Sequence, residues 1–197
     1  EINNFTGYFI NNSALGKIDA TNGNGGAITF KDISSNSVFT CDFINNTAIL
    51  YGGGVNYRQT PHNITFNSNF INNNAKYGGG VNFSESFDNV VFNGEFDGNS
   101  AEYGGAVAFK QGVIENVSFK NNHAEFGGAI CAYDKLNVSE STFYNNSASQ
   151  RGGAIYIEGQ VSDCIINSIF VGNNAYQGGA IFFNNETDNS VIAGYYL

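Results

Sequence analysis

The chain has 197 residues, 42% of them hydrophobic and only 13% charged, with a formal net charge of −9. An ordinary soluble domain carries roughly 25% charged residues; here glycine, at 25 copies, and asparagine take their place. The acidity offers no basic face to nucleic-acid phosphates, and no apolar run reaches the roughly 18–20 residues of a membrane helix. A set of apolar residues dominated by Phe, Tyr, Val and Ile, without methionine, is that of strands and not of a helical bundle.

The first element is the run into Phe9, followed by Asn12 and Ala14 and, after an insertion from Leu15 to Asn24, by Gly25-Gly26 and an apolar strand at Ile28. The order then repeats. Phe43-Asn46-Ala48 leads to Gly52-Gly53, Phe70-Asn73-Ala75 to Gly78-Gly79, and Phe96-Asn99-Ala101 to Gly104-Gly105. Phe119-Asn122-Ala124 leads to Gly127-Gly128, Phe143-Asn146-Ala148 to Gly152-Gly153, and Phe170-Asn173-Ala175 to Gly178-Gly179. Taking differences between glycine pairs at 25, 52, 78, 104, 127, 152 and 178 gives steps of 27, 26, 26, 23, 25 and 26 residues. A period of that size is one coil of a solenoid.

No copy carries the two-residue hairpin signal, so the strands stack parallel between coils. Three strands per coil are expected. One follows the glycine pair, a second covers residues such as 63–66, 89–92 and 162–166, and a third runs into the repeat phenylalanine. Period-two alternation directs Ile28, Val55, Val81, Val107, Ile155 and Ile181 inward and Thr29, Asn56, Asn82, Ala108, Tyr156 and Phe182 outward. At a coil rise of about 4.8 Å the repeat phenylalanines form an inner column and the repeat asparagines a ladder at a sharp turn, where asparagine tolerates a left-handed backbone. Residues 191–193 begin an eighth coil. The expectation is one β-helix domain over 1–197, monomeric and all-β, cut from a longer protein.

Phe-x-x-Asn paired with Gly-Gly-Ala-Ile in a coil of this length resembles the repeat of chlamydial polymorphic membrane proteins and of methanogen adhesin-like surface proteins. The resemblance implies a right-handed parallel β-helix, an extracellular cell-surface setting, and attachment to glycans or to host or neighbouring cells. It brings no catalytic residue and no cofactor. Fold alone does not set function, and a spacer stalk or a polysaccharide-degrading β-helix are the competing classes.

Several residues are candidates for function. Tyr51, Tyr77, Tyr103 and Phe126 precede the glycine pairs and make a surface aromatic column suited to stacking on sugar rings or to shielding a turn, continued by Arg151 and Gln177. Glu102 and Glu125 share a column on adjacent coils at the spacing of a retaining carboxylate pair, although short turns leave little to build a cleft; Lys76 pairs with Glu102. His62 and His123 are isolated at turns. Tyr156 and Phe182 form a second outward pair that would meet neighbouring sequence. Cys41 and Cys164 point inward and Cys131 outward, too far apart to bridge and without metal-ligand spacing. The calcium nonapeptide of β-rolls is absent. Sequons for glycosylation stand at Asn4, Asn11, Asn45, Asn63, Asn82, Asn116, Asn137, Asn145 and Asn185.

Overall fold

The structure is a computed structural model that describes residues 2–16, 25–32, 35–159 and 161–196. Every ladder in it is parallel, and each strand pairs with its equivalents one coil away. The strands after the glycine pairs, Ile28–Phe30, Val55–Tyr57, Val81–Phe83, Val107–Phe109, Ile130–Ala132, Ile155–Ile157 and Ile181–Phe183, form a seven-stranded sheet in chain order. Seven strands make six steps along the axis, so the solenoid has about six full turns. A three-residue strand is too short to persist alone; only the stack satisfies its backbone groups.

The expected second and third strands share one bent, eleven-stranded sheet. They are separate in His62–Phe66 and Phe70–Ile71 but continuous in Ser35–Ile44, Leu136–Tyr144 and Ile165–Val171. The third face is one the pattern did not announce. It lies after the ladder asparagine, as His123–Phe126, Ser147–Arg151 and Asn174–Gln177 and as bridges linking Thr47, Asn74, Ser100 and His123. Val191–Tyr196 pairs with Ile165–Val171 as the expected start of another coil. The inserted segment from Leu15 to Asn24 lies mostly outside the described residues.

The interior is a set of ring columns. Phe43 to Phe70, Phe70 to Phe96, Phe96 to Phe119, Phe119 to Phe143 and Phe143 to Phe170 stack with centroids 4.8, 4.7, 5.2, 4.9 and 4.7 Å apart, and Tyr196 adds a ring above Phe170. A second column runs Phe5, Phe39, Phe66 and Phe92 and meets the first edge-on, as between Phe66 and Phe70 at 71°. Burying one such side chain stabilises the fold by about 1.5–3 kcal/mol, and the stacked geometry adds to that.

The turn after each phenylalanine divides its tasks between two adjacent residues. The left-handed backbone belongs to the residue before the ladder, Asn11, Asn45, Asn72, Asn121 and Asn145, with Gly98 and Gly172 in the same place. The ladder asparagine is fully buried at 46, 73, 99, 122 and 146 and works through its amide. Asn99 Oδ1 accepts from both the backbone N–H and Nδ2 of Asn73, at 3.0 Å each, while Asn99 Nδ2 also donates to the carbonyl of Phe70 at 2.8 Å. The unit recurs from coil to coil, so buried turn amides are satisfied without water. The glycine pair is similarly divided. Gly78 has φ +61°, whereas a Cβ on Gly79 would run into the carbonyl of Gly105 in the next coil.

One inside-outside assignment is corrected by the fold. Asn56, Asn82, Ala108, Cys131 and Tyr156 do point away from the main core, but none of them faces solvent: all are buried. Ala108, Cys131 and Tyr156 form a second, smaller core covered by Tyr77, Tyr103, Phe126, Tyr133 and Phe182. Alternation selects a side of a sheet; it does not say whether that side is wet.

Candidate functional site

The pre-glycine aromatics converge on that second core. Tyr51 stacks on Tyr77 at 5.3 Å, Tyr77 on Tyr103 at 5.1 Å and Tyr103 on Phe126 at 5.2 Å, the last two within 12° of parallel. Each ring is half-buried. The rings cover one another's faces, so between coils the column offers edges and phenol groups to solvent. Burial, with the Glu102 carboxylate beside it, pushes the Tyr103 phenol up to about 12; burial raises Tyr77 too, against the opposing charge of Lys76. Lys76 Nζ stands 5.5 Å from the Tyr77 ring centroid and 3.3 Å from Glu102 Oε2. The column therefore shields the second core, and Tyr156, expected to face outward, is among the residues it covers, tilted against Phe126 at 5.3 Å.

Beside the column, on the third face, runs a shallow groove of about 650 Å³ along the solenoid. Its floor is the repeat alanine, Ala48, Ala75 and Ala101. One wall is Thr47, Asn74, Ser100 and His123, the other Ile49, Lys76, Glu102 and Glu125. The alanine side chains point inward, so the floor is backbone, and the same ladder that stacks the coils sets the flanking side chains in rows. Sequence reasoning placed Glu102, Glu125 and the tyrosines in columns but missed the groove, because its floor and the Thr47 row were read as turn. The signal was present: the repeat alanine is flanked at every copy by a variable, mostly polar residue on each side.

Both histidines have partners, contrary to the expectation that they stand alone. His123 Nδ1 lies 2.9 Å from Ser147 Oγ and His62 Nδ1 lies 3.4 Å from Asp88 Oδ2, each across one coil step. All three cysteines are free and buried. Burial pushes the Cys41 thiol up to about 11 and raises Cys131 as well. Cys131 was expected to be outward; it is outward of the main sheet but enclosed in the second core. No group of three or more His, Cys, Asp or Glu that could hold a metal ion occurs among the described residues.

Of the sequon asparagines, Asn4, Asn11, Asn45, Asn63, Asn116, Asn145 and Asn185 are exposed and Asn137 is half-buried. Asn82 is buried, and its Nδ2 donates to Asn56 Oδ1 at 2.9 Å, so it is no acceptor for a glycan in the folded chain. Asn63 joins a surface ladder, donating to Asn36 Oδ1 at 3.0 Å.

Fold and surface together define a parallel β-solenoid whose coils present side chains in columns. Residues 116–133 and 140–158 match the Chlamydia polymorphic membrane protein repeat. These are successive coils, each carrying the phenylalanine, the ladder asparagine and the Gly-Gly-Ala-Ile strand, so the matched unit is the coil itself. The chain thus carries a repeat of the polymorphic membrane protein type, and a cell-surface setting is what that repeat implies. No curated protein and no solved structure matches the chain.

Proposed function

We propose that the chain is a non-catalytic, extracellular part of a cell-surface protein that acts as a monomeric rod and attaches to glycans on host or neighbouring cells. The groove on the third face carries this reading. It is open and several coils long, and it is walled by hydroxyl, amide, imidazole and carboxylate groups that suit the alternating donors and acceptors of a sugar chain. Tyr77, Tyr103 and Phe126 follow the wall residues Lys76, Glu102 and Glu125 directly in the chain and extend the contact surface. Glu102 is ion-paired to Lys76, an arrangement better suited to orienting a hydroxyl than to acid-base work on a glycosidic bond.

The test is binding of the purified chain to a glycan panel and to whole cells. An Asn74→Ala/His123→Ala variant, altered only at exposed positions, is expected to lose binding while keeping its melting temperature. A Tyr77→Ala/Tyr103→Ala variant is expected to weaken binding at the groove border. If the parent chain binds neither glycan nor cell, the rod is a spacer and the attachment reading fails. Release of reducing ends or unsaturated products from a polysaccharide panel, abolished by Glu102→Gln, would make it an enzyme instead.

A further inference from the structure

The coils are not all alike, and the shortest, between the glycine pairs at 104 and 127, breaks the sheet. Asp88–Phe92 pairs with His62–Phe66, and Gly112–Glu115 pairs with Leu136–Tyr144, but no ladder joins Asp88–Phe92 to Gly112–Glu115. The two strands are pinned at both ends of the gap. Before it, the Phe87 N–H donates to the carbonyl of Gln111 at 3.3 Å; beyond it, Glu95 pairs with Ser118. Between these points the strands part and leave a bounded cleft of about 350 Å³.

The composition of the cleft is specific. Phe87 lies at its base, only 8% exposed and packed on Phe83 and Phe109, and a Cβ on Gly112 would overlap its ring. Glycine at 112 is thus what lets the aromatic ring close the bottom of the gap. Val91 and Val113 line the cleft and are 43% and 47% exposed. Asp88 and Glu115 supply two carboxylates. Near the cleft the coils neutralise their acids across one step, with Lys110 on Glu85 and Lys120 on Glu95, as Lys76 does for Glu102 on the third face. Among the described residues no lysine or arginine does so for Asp88 or Glu115. Asp88 meets His62, and Glu115 accepts from the Ser139 hydroxyl at 3.4 Å.

We propose that this cleft is a second binding site, distinct from the groove, that takes an arginine or lysine side chain of a protein partner. An aromatic base and two valines accept the methylene stem, and the carboxylates receive the charged head, which is the arrangement a long basic side chain needs. The chain's net charge of −9 adds long-range attraction for such a partner.

The test uses the intact chain and two peptides, Ac-Gly-Arg-Gly-amide and the same peptide with citrulline, which keeps the shape and removes the charge. Titration followed by NMR is expected to shift the Val91 and Val113 methyl signals with the arginine peptide, about tenfold more tightly than with citrulline. Asp88→Asn/Glu115→Gln should abolish that preference with the melting temperature unchanged, since both residues are exposed. Equal binding of the two peptides, shifts confined to other residues, or a preference that survives the double substitution would each overturn the proposal. Glycan binding at the groove is independent of every one of these outcomes.

Discussion

The molecule stacks asparagine on asparagine in two settings, and the pair is instructive. Inside, Asn46, Asn73, Asn99, Asn122 and Asn146 are bonded amide to amide at 2.9–3.0 Å. Outside, Asn63 donates to Asn36 at 3.0 Å and Asn89 donates to Asn63 at 2.6 Å. The geometry is the same and the energetics are not. An exposed amide that loses its partner turns to water, whereas a buried one is left orphaned. The inner amides also hold backbone groups of the neighbouring coil, which the outer row does not. Aromatic columns repeat the lesson: Phe43 to Phe170 and Tyr51 to Phe126 stack at nearly equal distances, but only the first is sealed on every side.

That contrast can be broken by substitution. The largest loss is expected for Phe96→Ala, about 3–5 kcal/mol in chemical unfolding, because a ring in mid-column leaves a cavity that rigid neighbouring coils cannot close. Asn99→Ala should follow at about 3 kcal/mol, since it orphans the N–H and Nδ2 of Asn73 and the carbonyl of Phe70 together. Tyr57→Phe should move the other way and stabilise by about 1 kcal/mol: the Tyr57 hydroxyl is buried without a partner in a column where its neighbours are Phe30 and Phe83. Asn89→Gly, in the outer row, removes the amide but suits the left-handed backbone there (φ 50°) and should stay within about 0.5 kcal/mol. An Asn89→Gly loss as large as that of Asn99→Ala would show that ladder geometry, and not burial, sets the stability.

The second core is probed by its thiol. In the native chain Cys131 should resist thiol reagents near neutral pH, being enclosed and with its pKa raised by burial. Tyr103→Ala/Phe126→Ala removes the cover and should make one cysteine reactive while Cys41 and Cys164 stay protected in the main core. Unchanged labelling would mean that Tyr133 and Tyr156 suffice to seal it.

Much of this was legible in the residues, and the reason is repetition. Phe-x-x-Asn and the glycine pair recur often enough that coil length, parallel stacking, the phenylalanine column and the asparagine ladder could be read directly. What was misread has three separate causes. Cys131, Tyr156 and Asn82 were assigned to solvent because period two reports only which side of a strand a residue occupies. The left-handed backbone was assigned to the ladder asparagine because Asn45-Asn46 and its equivalents place two residues of the same type side by side. Asn82 was counted as a sequon because a tripeptide carries no information on burial.

By itself, then, the sequence determined the repeat unit and its stacking, since a short strand flanked by glycines has no other way to satisfy its backbone. Only the tertiary structure decided which outward faces are dry, because that depends on the tyrosines before one glycine pair folding over the strand of the next coils. It alone decided where the groove and the cleft open. The groove needs the residues on either side of the repeat alanine aligned across coils, and the cleft follows from one coil being shorter than its neighbours, a mismatch that becomes a gap only when both are laid in register.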